Sequence, residues 1–159
     1  MVKKIYCFIP ARLKSTRLPN KMLLDVNKKK LINHVYDQCK KNKFFNEVYI
    51  ATCDKILADL ALENFAKFIM TSSKHKDCVS RVIEAVIKKR NINENDYIVI
   101  VQGDEACVTS KILNNFCRVI MEKKYNYYNL ISQINHKRDF YTKSVVKCAI
   151  NKKNEIIFM

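Results

Sequence analysis

Within ten residues the chain places Arg12, Lys14, Arg17 and Lys21, with the hydroxyls of Ser15 and Thr16 between them. Guanidinium forks and ammonium groups bind phosphate oxygens, and hydroxyls with backbone N–H groups complete a cradle, so the group suits a triphosphate. It lacks the glycines and the Gly-Lys-Ser/Thr ending of a P-loop. A second constellation lies in IVIVQGDEACV, Ile98 to Val108, where a run of β-branched residues ends in Gln102, Gly103, Asp104 and Glu105. A carboxylate at a strand end suits Mg²⁺, which keeps several waters and bridges to substrate phosphates. A third stretch offers Thr71, Ser72, Ser73, His75, Ser80 and Arg81, donors and acceptors able to read a base edge. Each group also has an ordinary explanation: a solvated basic loop, an acidic turn, a surface histidine, an arginine paired with Glu84 or Glu63. Their positions relative to the strands decide between the two.

Lys4 to Ile9 reads as a short buried strand ending at a proline, with the basic segment as the loop after it. Leu31, Ile32, Val35, Tyr36 and Cys39 fall at helical spacing, predicting a helix over Leu31–Phe45. Strands are predicted at Glu47–Thr52, Lys67–Met70 and Tyr97–Val101. Between them lie a helix capped by Asp54 and another over Val79–Arg90, and a further helix runs through Ile112, Leu113, Phe116 and Ile120. The order β-α-β-α-β-α-β predicts a mostly parallel α/β sheet with helices on both faces. Ligands of such sheets bind outside the carboxyl ends of the strands, where all three constellations fall. Arg12, Lys21, Arg81 and Asp104 are therefore expected to face one cleft. YNLISQI, SVVKCAIN and EIIFM read as the strands of a meander.

At 159 residues the chain fits a single domain, and no apolar run approaches the roughly 20 residues of a membrane helix. The net charge of +15 comes from 24 Lys and 6 Arg, beside 16 Asn, one Gly and two Pro. Lys, Asn and Ile rising together while Gly and Pro fall is what an AT-biased coding sequence gives. The lysines are spread along the chain and the aromatics sit in apolar stripes, which argues against a nucleic-acid surface. Seven cysteines, an odd number with no C-x-x-C pair, indicate free thiols and a cytoplasmic protein. The only glycine, Gly103, is expected where a side chain would crowd a ligand or where the backbone needs an angle other residues resist.

Taken together, IPARLKSTRLPNKML (Ile9 to Leu23), LINHVYDQC, VYIATCD, IMTSSKHKDCVSRVIEA and IVIVQGDEACV resemble the 3-deoxy-manno-octulosonate (Kdo) cytidylyltransferase family, the CMP-Kdo synthetases of lipopolysaccharide synthesis. The resemblance implies a Rossmann-like nucleotide-diphospho-sugar transferase fold and transfer of CMP from CTP to an acidic sugar, with Mg²⁺ as cofactor. It implies that Arg12, Ser15, Arg17 and Lys21 meet the triphosphate. It further implies that Thr71, Ser72, His75 and Arg81 meet base and ribose, that Gln102 contacts the nucleotide, and that Asp104 ligates the metal. The resemblance makes Arg12, Lys21 and Asp104 the expected catalytic set. Family members are longer, so residues 1–159 are expected to form the nucleotide-binding portion, without the sugar-binding and dimerisation part of a possible homodimer. Such a chain alone is expected to bind Mg-CTP weakly and to transfer little.

The sequence departs from that pattern in three places. Asn27-Lys28-Lys29-Lys30 stands where a glycine and a proline are usual, and Asn27 can take the left-handed conformation such a turn needs. Asp77-Cys78-Val79-Ser80 stands where glycine and an acid are usual, and Ala106 replaces a proline. A cytidylyltransferase for 8-amino-Kdo or an acylneuraminate, or a noncatalytic nucleotide-binding remnant, shares the same loop; a basic nucleic-acid-binding domain is the reading from another class.

Overall fold

The computed structural model describes residues 3–15, 18–123 and 125–159. Where the sequence suggested one domain, the chain divides into two compact units, Met1–Lys123 and Lys124–Met159. In the first, strands β1 (Ile5–Ala11), β4 (Phe45–Thr52), β5 (Phe68–Met70) and β6 (Tyr97–Ile100) form one sheet in the order β5-β4-β1-β6. Every pairing in it is parallel. A short hairpin, β2 (Asp25–Val26) and β3 (Lys29–Lys30), follows the basic loop. Helices α1 (Leu31–Lys40), α2 (Lys55–Glu63) and α3 (Cys78–Lys89) make the crossovers, and α4 (Ser110–Glu122) follows β6.

Strand β1 is buried along its whole length, so its two sets of alternate side chains both need cover. One set, Tyr6 and Phe8, packs with Tyr49 and Ala51 of β4 against Val82 and Ala85 of α3. On the opposite set Cys7 meets Cys39 of α1, with Cys117 of α4 near, and all three thiols are fully buried. Helices therefore lie on both faces, as the β-α-β order requires. Burial holds the Cys7 thiol well above its ordinary range and pushes Cys117 up to about 11, so these cysteines act as small core hydrophobes and not as nucleophiles.

The elements match the sequence pattern with shifted ends. The first strand does not stop before Pro10: it stays paired with β4 through Pro10↔Ala51 and Ala11↔Thr52. Pairing with β6 does stop, at Phe8, whose carbonyl accepts from Val101 N at 3.1 Å. The next rung of that ladder would run from the N–H of residue 10 to the carbonyl of Val101, and proline has no N–H to give. The first helix ends at Lys40 instead of Phe45, because Asn42 turns the chain there: its Oδ1 accepts from Phe44 N at 2.8 Å and Phe45 N at 3.0 Å, starting β4 at Phe45.

With glycine absent from the turns, left-handed backbone falls to Asn20, Asn27, Lys28, Phe65, Arg90 and Asn154. Asn27 and Lys28, φ 48° and 64°, form the two-residue β2–β3 turn anticipated for Asn27. Phe65 ends α2 in a Schellman motif, with Phe65 N bonded to Leu62 O at 3.0 Å and Ala66 N to Ala61 O at 2.8 Å.

The second unit departs most from expectation. Among its described residues YNLISQI forms no strand, a short helix α5 occupies Lys137–Tyr141, and the proposed meander reduces to one hairpin. That hairpin pairs β7 (Ala149–Ile150) with β8 (Ile156–Phe158). Alternating apolar residues become a strand only where a neighbour supplies the ladder.

Phe65 is 95% exposed at φ 53°, so its side chain buries nothing there and carries the steric cost of the left-handed region. Phe65→Gly is expected to stabilise the protein by about 0.5–1 kcal/mol. A denaturant midpoint below that of the wild type would contradict this account of the turn.

Candidate nucleotide site

The order β5-β4-β1-β6 reverses the direction of chain winding between β1 and β6, and crevices at such switch points hold the ligands of open α/β sheets. The loop after β1 and the turn after β6 flank that point. In the first, Asn20 N bonds to Leu13 O at 3.0 Å and closes the loop, leaving Arg12 and Lys14 exposed and Ser15 half-buried. Thr16 and Arg17 lie outside the described residues. Asp54 was expected to cap α2 with its side chain. Its backbone carbonyl starts the helix by accepting from Leu57 N and Ala58 N, both at 3.1 Å, while its carboxylate reaches back across the sheet edge to Leu13 N at 2.8 Å. The base of the basic loop is thus tied to the end of β4.

After β6, Glu105 N bonds to Gln102 O at 3.0 Å and Ala106 N to Asp104 O at 2.8 Å, a tight turn that leaves Gln102 exposed and Asp104 half-buried. Lys21, from the 3₁₀ turn Lys21–Leu23 that ends the basic loop, forms an ion pair with Asp104 Oδ2. Two residues 83 positions apart are so brought together across the switch point. The pair also bears on the metal expected at Asp104. That carboxylate already attracts a cation, and among the described residues no group of three or more His, Cys, Asp or Glu side chains is placed to hold an ion. One carboxylate supplemented by phosphate oxygens and water is a donor set that fits Mg²⁺.

Gly103 is buried, and its φ is not in the left-handed region, so the backbone-angle reason for the glycine is overturned. Packing accounts for it instead. A Cβ there would meet Ile32 Cδ1 at 2.9 Å and Met22 Sδ at 3.0 Å. Met22 adjoins Lys21, so the glycine lets the turn after β6 settle against the segment that carries the lysine. Gly103→Ala should displace the ends of the Ile32 and Met22 side chains and cost about 1 kcal/mol by overpacking, the low end of the range because both can swing aside. Unchanged stability by chemical denaturation would remove the packing explanation.

The third constellation is held by α3. Arg81 is only 2% exposed; its Nη1 donates to Thr71 Oγ1 at 2.6 Å and to Ser72 O at 3.3 Å. It pairs with neither Glu84 nor Glu63 in these bonds. Glu84 serves other groups: Oε2 accepts from Ser72 N at 2.8 Å and pairs with His75 Nε2, and Oε1 pairs with Lys88 Nζ at 2.8 Å. Asp77 caps α3 by accepting from Ser80 N at 2.7 Å, so Ser80 belongs to the cap and not to a base contact. The structure therefore joins Lys21 with Asp104, and Arg81 with Thr71 and Ser72. Asp54 and Glu84 are the residues sequence reasoning missed in their positioning roles. Glu84 carried a faint signal, lying one turn beyond Arg81 on the same helix.

Lys88, then the Ser72 N–H and His75, hold the Glu84 carboxyl down at about 2. The Lys67 ammonium and the Tyr49 hydroxyl do the same for Glu47. A carboxylate held below its unfolded value of about 4.3 contributes stability above that pH and loses it as pH falls toward 2. The stability difference between wild type and Glu84→Gln should be widest above about pH 4.5 and close toward pH 2, measured by urea unfolding across that range. A gap that stays constant would show that the Glu84 charge contributes nothing.

The parallel sheet and the lysine–carboxylate pair at its switch point define a Rossmann-like α/β fold of the kind that holds nucleotides at that edge. Similarity to known proteins narrows this class. The family model for cytidylyltransferase matches residues 6–159, and the chain belongs to that family. It is 36% identical over 155 residues to a 3-deoxy-manno-octulosonate cytidylyltransferase of Francisella tularensis and 31% identical over 156 residues to one of Thermodesulfovibrio yellowstonii. These alignments cover 97% and 96% of the chain but 61% of each relative, so the chain spans under two thirds of their length. A solved CMP:2-keto-3-deoxy-manno-octonic acid synthetase complexed with CTP superposes with a TM-score of 0.69 at 31% identity, over 76% of this chain and 48% of that one.

Proposed function

We propose that the chain is the nucleotide-binding portion of a 3-deoxy-manno-octulosonate cytidylyltransferase acting in the cytoplasm in lipopolysaccharide synthesis. The carrying observation is the Lys21–Asp104 pair at the switch point, where a cation for phosphate and a carboxylate for Mg²⁺ face each other. The anomeric hydroxyl oxygen of the sugar attacks the α-phosphorus of CTP in line, giving up its proton to water, while the bond to the oxygen bridging to the β-phosphate breaks and pyrophosphate leaves. Arg12, Ser15, Arg17 and Lys21 bind the triphosphate, and Lys21 offsets the charge that develops on the departing pyrophosphate. Lys21 does so by exchanging its carboxylate partner for phosphate oxygens. Asp104 would hold Mg²⁺, which when bound supplies further neutralisation of the triphosphate. Gln102 and the Thr71–His75 segment meet base and ribose, with Arg81 acting through its hold on Thr71 and Ser72. No protein nucleophile is needed in such a direct transfer.

Thermal shift with CTP, UTP and ATP, each with Mg²⁺, tests the nucleotide part. A rise selective for CTP is expected, reaching the equivalent of about 2.7 kcal/mol at a hundredfold excess over Kd, and Asp104→Asn should lose its Mg²⁺ dependence. Equal shifts for all three nucleotides would overturn it. Pyrophosphate release dependent on N-acetylneuraminate and not on Kdo would reassign the acceptor.

A further inference from the structure

The segment Thr71–His75 has no helix or strand of its own, and besides its internal bond from Lys74 N to Ser72 Oγ at 3.1 Å it is held by polar links to α3 and the sheet. Thr71 N bonds to Thr52 O at 2.8 Å, continuing the β5 edge by one rung. Beyond that rung the sheet ends and side chains of α3 take over. Lys88 Nζ donates to Met70 O at 2.8 Å, Arg81 donates to Thr71 Oγ1 and Ser72 O, and Glu84 accepts from Ser72 N. Ser72 is thus held through both its backbone polar groups by residues one helical turn apart, Arg81 on the carbonyl and Glu84 on the N–H. The same Glu84 oxygen holds His75 at the far end of the segment.

We propose that Glu84 is a positioning residue for base recognition, fixing the backbone of Thr71–His75 in its binding geometry before the nucleotide arrives. This rests on the reading of Thr71–His75 as the base and ribose segment. An ionised carboxylate receiving a backbone N–H, a lysine ammonium and an imidazole forms stronger hydrogen bonds than a neutral acceptor would. Holding the loop in advance removes an ordering cost from binding. Glu84 itself touches no ligand in this account. His75, with Nε2 committed to Glu84, serves as the second anchor of the segment, not as a base donor through that nitrogen. Removing the carboxylate leaves the Ser72 N–H without its acceptor and Lys88 without its carboxylate partner. The basic loop after β1, which meets the triphosphate, is fixed separately through Asp54 and the Asn20–Leu13 bond, so its affinity for phosphate should not depend on Glu84.

Titration calorimetry of Mg-CTP and of Mg-pyrophosphate against wild type, Glu84→Ala and Glu84→Gln tests this, with denaturant melts confirming that each variant is folded. Glu84→Ala is expected to weaken CTP on the order of tenfold while pyrophosphate affinity stays within about twofold. Glu84→Gln keeps an oxygen for the Ser72 N–H and should recover a substantial part of the CTP affinity. Amide exchange in Thr71–His75 should quicken in Glu84→Ala and stay unchanged in β1. CTP affinity unmoved by Glu84→Ala, or CTP and pyrophosphate weakened equally, would overturn the proposal. Wild type binding CTP no more tightly than ATP would instead sink the base-segment reading, and the proposal with it. Should Glu84→Ala prove unfolded, Glu84→Gln decides by the same two affinities, CTP falling and pyrophosphate holding.

Discussion

The two ladders of β1 end at different heights, and the candidate site depends on that difference. Towards β4 the pairing runs on through Ala11, while towards β6 it ends where Pro10 has no N–H for the next rung. The chain leaving β6 is thereby released from the sheet at Gln102, at the switch point it shares with the loop leaving β1. A proline in a central strand normally costs a ladder bond. Here the missing bond lies where the sheet must part, so the residue sets the position of the cleft without weakening the core beneath it.

On that opening the site is built by tying loops to distant, rigid parts. Asp54, at the end of β4, holds the start of the basic loop; Gly103 lets Met22 and Ile32 close in behind its end; Lys21 and Asp104 then meet across the crevice. Towards β5, α3 does the same for Thr71–His75 with Arg81, Glu84 and Lys88. Charged side chains that would be costly if buried alone are each satisfied by backbone groups or an opposite charge, which keeps the loops ordered in a chain almost devoid of glycine and proline.

The composition leaves its own mark on this architecture. Left-handed turns that glycine would occupy are taken by asparagine, lysine, arginine and phenylalanine. Asparagine tolerates the conformation through local hydrogen bonding, while Lys28, Phe65 and Arg90 carry the steric cost of a Cβ. The single remaining glycine is kept at a position of ordinary φ, where volume rather than backbone freedom is limiting.

Sequence by itself determined the parallel strands and crossover helices of the first unit and their order: period-3.6 stripes such as Leu31 to Cys39 and apolar runs such as Tyr97–Ile100 are local signals of burial. It also placed the basic loop, the Thr71–Arg81 stretch and Gln102–Asp104 at strand ends, because parallel β-α-β winding fixes which loops share an edge. Only the tertiary structure decided the partners. Asp54 reads as a helix cap until the loop after β1 brings Leu13 N nearer than the helix's own N–H groups. Glu84 reads as a neighbour for Arg81 until the end of β5 presents Ser72 and His75. Hydrogen bonds and ion pairs go to whichever group the packed backbone brings within about 3 Å. For residues tens of positions apart, that proximity is set by the sheet and not by the local sequence.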